Sequence, residues 1–235
     1  MRIAKREGAP QGAVPTSEGS FTMEKKNIAV VAADGRVARK VITEAVNRGW
    51  DVTAFGRKDK NTGDAQTYIK KDILDLTSED LEGFDAVVDA FGAWTPETFH
   101  LHGETLQHLL DILADTDVRL VYVGGAGSLY VNPEHTLQVY QTPDFPAEFV
   151  PLATAQVGTL AQIRPVKNVK WTYISPAGDF QAEGERTGEY ILAGEELTLN
   201  DRGESIISYA DYTIALVDEI ESGNHIQERI SVVRK

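Results

Sequence analysis

The stretch Asn27-Ile28-Ala29-Val30-Val31-Ala32-Ala33-Asp34-Gly35-Arg36-Val37-Ala38 decides the fold. Residues 27–33 form a nearly continuous apolar run, the pattern of a strand buried on both faces of a parallel sheet. The chain turns through Gly35. Residues 36–48 then carry Val37, Val41, Ile42, Ala45 and Val46 at helical spacing, and Gly49 supplies the C-terminal stop. Residues 51–55 (DVTAF) read as a second strand. Strand, glycine turn, helix and strand make a βαβ unit of about 30 residues, whose crossover is expected to be right-handed.

The alternation continues outward. Residues 67–69 and 86–90 read as the third and fourth strands, and residues 97–114 as a helix with Pro96 in its first turn and Leu106, Leu109, Leu110 and Leu113 on its buried stripe. Residues 119–123 (RLVYV) are a fifth strand, 147–163 a helix despite Pro151, and 170–174 a sixth strand. Gly178, Gly184, Gly188, Gly194 and Gly203 then punctuate short β-like runs, so residues 176–207 read as a small substrate-side lobe of hairpins. A helix at 211–220 and a strand at 226–233 close the chain. The expected fold class is α/β: a doubly wound Rossmann fold, its mostly parallel sheet flanked by helices, with that small C-terminal lobe attached.

Composition narrows the function classes. Hydrophobic residues at 42% and charged residues at 25% are globular averages, and no window approaches the apolar length of a membrane span. A net charge of −13 with scattered basic residues sets nucleic acid aside. The absence of cysteine excludes disulfides, thiolate nucleophiles and cysteine-ligated metals, and fits the cytoplasm. His100, His102 and His108 lack metal-ligand spacing and read as solvated or capping residues, so no metal is expected. Residues 1–22 are aperiodic and rich in Gly, Ser, Pro and Thr, with no apolar run of a secretory signal; they read as a disordered leader or a remnant ahead of Met23. Residues 23–235 are expected to form one domain, a monomer or homodimer whose partner is a small molecule rather than a membrane.

In doubly wound folds ligands bind beyond the carboxyl ends of the strands. The first such turn reads Ala32-Ala33-Asp34-Gly35-Arg36-Val37-Ala38 where a dinucleotide loop would read G-A-T-G-x-x-G. Gly35 keeps the close approach of backbone to pyrophosphate, while Ala32 replaces the tight-turn glycine and Ala38 the close-packing one. Asp34 is either an ordinary N-cap of the following helix or a built-in anion that competes with the pyrophosphate. After strand two, Gly56-Arg57-Lys58 offers no acidic partner for a ribose hydroxyl. Those cations, with Arg36 across the same groove, favour NADP(H) over NAD(H). Ala90-Phe91-Gly92 and Gly124-Gly125-Ala126-Gly127-Ser128 leave room for a flat ring and a ribose. Ser128 is the hydroxyl placed to meet a carbonyl or ribose, or else to cap the turn. Trp94, Phe99 and Tyr130 either line a ring pocket or pack in the core. There is no G-x-S-x-G elbow and no Walker loop.

The segment Tyr173-Ile174-Ser175-Pro176-Ala177-Gly178-Asp179-Phe180, followed by Gly184-Glu185-Arg186-Thr187-Gly188-Glu189-Tyr190, resembles a "YxSPA..F..G.RTG.Y" pattern. Residues 200–212 resemble "D..G.S.IS..DYA.A", and Gly124 to Leu129 resembles "GGAGSL". These motifs are similar to those of the NADH-flavin-reductase-like branch of the atypical NAD(P)-binding short-chain dehydrogenases, related to biliverdin/flavin reductases and to nitrogen-regulator-like redox sensors. The resemblance implies that Gly35, Arg36 and Val37 hold the pyrophosphate, Arg57 the 2′-phosphate end, and Asp72 and Ile73 the adenine. It further places Ala90, Phe91 and Gly92 at the nicotinamide-side ribose, and Ser128 and Pro176 beside the nicotinamide.

The Tyr-x-x-x-Lys proton-donor pair of short-chain dehydrogenases is missing, because Tyr140 is followed by Gln141-Thr142-Pro143-Asp144. Reducing a ketone needs such a donor, whereas a flavin ring accepts hydride at nitrogen and takes its proton from water. The expected function is therefore an NAD(P)H-dependent oxidoreductase passing hydride to a flavin (FMN or FAD as substrate), a quinone or a similar planar acceptor. The alternatives are a non-catalytic NAD(P)-binding sensor with a degenerate loop, and an NAD-dependent epimerase or dehydratase.

Overall fold

The computed structural model describes residues 25–235, so the leader expected at 1–22 lies outside the described residues. Its main sheet has eight strands in the order β3-β2-β1-β4-β5-β6-β10-β8. These are β1 Asn27–Val31, β2 Asp51–Gly56, β3 Thr67–Lys70, β4 Ala86–Asp89, β5 Arg119–Val123, β6 Lys170–Ser175, β8 Tyr190–Ala193 and β10 Glu228–Arg234. Ile28 of β1 stands beside Val52 of β2 and Ala86 of β4, both in parallel register. Among the described residues, seven strands of this sheet run parallel, and only edge strand β8 pairs antiparallel, with β10.

Alternate residues of each strand face opposite sides, so two cores form. Ile28 and Val30 join Val41, Ile42 and Ala45 of α1 (Arg36–Asn47) and Tyr212, Ala215 and Leu216 of α5 (Tyr209–Ser222). Ala29 and Val31 face the other way, toward Leu106 and Leu109 of α3 (Leu101–Ile112), its C-cap Leu113, and Leu160 and Ile163 of α4 (Val150–Ile163). A short helix, α2 (Ser78–Leu81), adds Leu81 to this second core. Helix α1 ends as its sequence predicts. Gly49 has φ +80°, its N–H bonds the Val46 carbonyl, and the Trp50 N–H reaches back to the Ala45 carbonyl, two turns of hydrogen bonding that only a left-handed residue permits.

Two expectations change. The helix expected over 97–114 is divided: a 3-10 turn, Pro96–Thr98, is capped by Thr95, and the α-helix proper starts at Leu101. The hairpins expected in 176–207 are absent among the described residues. Instead β7 (Asp179–Gln181) pairs parallel with β9 (Ile206–Ser208), because the chain between them runs out to the main sheet as β8 before returning. Glycine punctuation marks where a chain turns, not which strand it then joins.

Candidate functional site

The carboxyl ends of β1, β2, β4, β5 and β6 border two cavities that share Gly35, Ala90, Phe91 and Gly92. The larger, about 520 Å³, also takes in Asp34, Gly56, Arg57, Lys58, Asp72 and Ile73. The smaller, about 270 Å³, is bounded by Arg36, Val37, Gly124, Gly125 and Pro176. Apart from Ser128, the residues singled out as dinucleotide contacts line one cavity or the other.

The β1–α1 turn keeps the shape of a glycine loop without its first glycine. Ala32 sits at φ +50°, in the left-handed region, and its carbonyl accepts the Gly35 N–H at 3.0 Å. Gly35 is the N-cap of α1 and no side chain caps the helix, so the first-turn N–H groups lack a side-chain acceptor where Gly35 borders both cavities. Ala38 is fully buried against the sheet, its methyl group filling the space of the third glycine.

Asp34 does not cap α1, nor does it lie on the helix terminus as a competing anion. Its Oδ2 accepts the backbone N–H of Arg57 at 2.9 Å and of Lys58 at 3.3 Å, and faces the Tyr68 hydroxyl at 3.4 Å. A Cβ on Gly56 would sit 2.6 Å from that hydroxyl and 2.7 Å from Oδ2, so glycine is required for this clip. Burial, and then the nearby Asp34 charge, push the Tyr68 phenol above its ordinary value.

The cations are arranged otherwise than expected. Arg36 is not across the groove from Arg57; its guanidinium lies 5.9 Å from the Tyr209 ring centre, on the side of the smaller cavity. The Arg57 side chain is 81% exposed, with Nε 3.9 Å from the Asp72 carboxylate. Asp72 itself accepts the Leu74 N–H at 3.1 Å and so starts the turn that presents Ile73.

Ser128 does not stand at the nicotinamide side of the groove, where the sequence motif puts it. It is 2% exposed and lines neither cavity. Its hydroxyl and carbonyl each lie 3.3 Å from the Arg229 guanidinium, which also reaches Ser175 and the Glu195 carboxylate. Gly124 and Gly125 likewise answer to the protein's own packing. A Cβ on Gly124 would come within 2.0 Å of the Tyr173 ring, and one on Gly125 within 2.2 Å of the Gln156 amide oxygen.

The smaller cavity also has walls that sequence reasoning missed: Leu152 and Gln156 of α4, Phe180 of β7 and Tyr209 at the start of α5. Phe180 lies in a quoted motif, but nothing in its spacing shows that β7 turns it toward β5. Trp94 is a further aromatic wall, 67% exposed, and not part of the core. Phe99 and Tyr130 do not line either cavity, and Tyr130 stacks on His135 with ring centres 4.5 Å apart.

Beneath the shared wall lies Asp89, fully buried at the end of β4. Its Oδ1 accepts the Phe91 N–H at 2.9 Å, and its Oδ2 has no partner among the described residues. Burial, partly offset by that N–H, raises its carboxyl to about 6. His102 is buried rather than solvated: it meets the Phe91 ring edge-on at 5.4 Å and the Ala93 backbone through Nε2, and burial holds its pKa down. His108 contacts the Leu76 carbonyl at 2.8 Å. The described residues contain no group of three or more acidic or histidine side chains able to hold a metal.

An uncapped helix terminus, a glycine approach and two cavities joined along the β4 loop fit an extended dinucleotide. The chain belongs to the NAD(P)H-binding family that matches residues 32–220, and its neighbours share the Rossmann fold. It is 41% identical over 208 residues to the Bacillus subtilis protein YwnB, a match covering 88% of this chain and 97% of that one. A Streptococcus pneumoniae structure described as a candidate NADH-flavin reductase superposes with a TM-score of 0.87 at 51% identity, covering 89% of this chain and 100% of the other. A Bacteroides thetaiotaomicron structure described as a candidate epimerase gives a TM-score of 0.79 at 32% identity, covering 90% and 98%. No helix among the described residues is long and apolar enough to cross a membrane.

Proposed function

We propose that the protein is an NAD(P)H-dependent oxidoreductase that passes hydride to a planar acceptor, a flavin such as FMN or FAD or a quinone. One observation carries the reading: the smaller cavity adjoins the uncapped terminus of α1 through Gly35 and is walled by the rings of Trp94, Phe180 and Tyr209. Gly35, Arg36 and Val37 would hold the pyrophosphate, Asp72 and Ile73 the adenine side, and Ala90, Phe91, Gly92, Gly124, Gly125 and Pro176 the nicotinamide side. The reduced nicotinamide supplies the hydride. The protein's part is to bring two flat rings face to face and keep water out, a positioning role in which aromatic walls serve well. The Streptococcus pneumoniae relative supports the flavin-type acceptor. The epimerase reading, to which the Bacteroides relative points, needs a proton donor and acceptor for a sugar; Tyr140, the tyrosine expected there, lines neither cavity. We place the protein in the cytoplasm, with a small molecule as its partner.

The groups near the adenosine ribose pull in opposite directions: Arg57 and Lys58 favour a 2′-phosphate, and Asp34 opposes it. The test is to add NADH or NADPH to the purified protein, record the thermal shift, and follow cofactor oxidation when FMN or a quinone is supplied. A shift with turnover supports the oxidoreductase. A shift without turnover leaves the non-catalytic sensor, and no shift at millimolar cofactor removes both.

A further inference from the structure

The groove at the end of β2 is where a dinucleotide fold meets the adenosine ribose, normally through an acidic residue carried by that strand end. Gly56-Arg57-Lys58 has none. Asp34, 23 positions before Arg57, reaches the same place from the β1–α1 turn. Its Oδ2 is held by the Arg57 and Lys58 N–H groups and by Tyr68, while Oδ1 has no protein partner among the described residues, and Asp34 lines the larger cavity. We propose that Asp34 makes this site select the dinucleotide with a free 2′-hydroxyl, NADH, over its 2′-phosphorylated counterpart; the proposal rests on the dinucleotide reading above.

The argument is one of donors and charge. A ribose hydroxyl can donate to the free carboxylate oxygen. A 2′-phosphate carries nearly two negative charges at neutral pH and only accepts, so it meets a carboxylate with repulsion. Of the two backbone N–H groups at this strand end, that of Arg57 already donates to Asp34, and that of Lys58 is shared between Asp34 and the Tyr68 hydroxyl oxygen. The remaining attraction comes from the Arg57 and Lys58 side chains. Arg57 is solvated and leans toward Asp72, and a solvated cation contributes less than a carboxylate anchored by the Arg57 N–H and bordered by the Lys58 N–H and the Tyr68 hydroxyl. Geometry thereby reverses the preference that the pair of cations suggests in the sequence.

Dissociation constants for NADH and NADPH, read by thermal shift and nicotinamide fluorescence, test the idea in the wild-type protein, Asp34→Asn and Tyr68→Phe. The wild type is expected to bind NADH about tenfold or more tightly than NADPH, since one such fixed charge is easily worth a decade. In Asp34→Asn an amide oxygen can still accept the loop N–H groups, and the ratio should fall by at least about fivefold, mainly because NADPH binds more tightly. Tyr68→Phe keeps the carboxylate and should keep the ratio, showing that charge and not loop disturbance sets it. Equal affinities in the wild type, or a ratio unmoved by Asp34→Asn, would overturn the proposal while leaving the dinucleotide site standing. If neither cofactor binds the wild type, the dinucleotide reading fails and this proposal with it.

Discussion

The buried carboxylate of Asp211 accepts the backbone N–H of Thr187 at 2.9 Å, and it also takes the Gly188 N–H and the Thr187 hydroxyl. Two motifs far apart in sequence, Arg186-Thr187-Gly188 and Asp211-Tyr212, are therefore one structural device. It ties the loop before β8 to the first turn of α5, beside Tyr209 on the cavity wall. Asp211→Ala leaves these donors without an acceptor and should cost about 2–4 kcal/mol of unfolding free energy, measured by urea denaturation. Asp211→Asn retains an acceptor and should cost clearly less. Equal losses in the two variants would refute the device.

Ala32 holds a left-handed backbone at φ +50° that glycine adopts freely. The strain for an L-residue is about 1–2 kcal/mol, partly offset in a glycine variant by the greater freedom of its unfolded chain. Ala32→Gly should therefore stabilise the protein by about 0.5–1 kcal/mol and raise Tm by about 1–4 °C. Ala32→Val, β-branched, should move both the other way. A destabilised glycine variant would show that the turn is not strained.

How far the sequence discloses the molecule depends on the distance over which each feature is decided. Periodicity within a few residues places β1, α1 and β2 within one or two residues of their observed bounds, and Gly49 ends α1 as a local stop should. The strand ends then lead to the loops that border the two cavities. What those loops do depends on partners that no local pattern names. Asp34 reads as a helix cap because a cap is its nearest use, yet its partners arrive with the β2 end and β3. Ser128 reads as a free hydroxyl because Arg229, 101 positions away, is invisible from it. Gly124 and Gly125 read as room for a ligand; both border the smaller cavity, but the space that an added Cβ would need is filled by Tyr173 and Gln156.

Asp89 makes stability depend on pH. Its carboxyl ionises near 3.9 in an unfolded chain and at about 6 in the folded protein. Below the unfolded value both states hold the proton and the group contributes no difference. Through the interval up to about 6 the unfolded chain binds fewer protons, so stability falls as pH rises, and above it the whole penalty, about 3 kcal/mol, is present. Asp89→Asn removes the ionisation and can keep the bond from the Phe91 N–H. Denaturant unfolding should show the variant gaining about 2–3 kcal/mol on the wild type between pH 4 and pH 8. A difference that stays constant over that range would mean that Asp89 does not titrate there.

Trp94 offers the most direct view of the acceptor. Trp50 and Trp171 are each 1% exposed, so Trp94 at 67% is the tryptophan that a ligand in the smaller cavity can reach. Its indole lies over the β4 loop: a Cβ on Gly92 would be 3.2 Å from its Nε1. An aromatic contact is worth about 0.5–1.5 kcal/mol, so losing it should weaken a planar acceptor by roughly two- to tenfold. Trp94→Ala should therefore raise KM for FMN or a quinone within that range, leave cofactor affinity nearly unchanged, and abolish the acceptor-induced quenching of tryptophan fluorescence. Trp94→Phe should restore most of the KM, because a ring remains to stack. If Trp94→Ala leaves acceptor KM untouched while turnover persists, the acceptor does not stack on this wall, and the rings of Phe180 and Tyr209 become the surface to alter next.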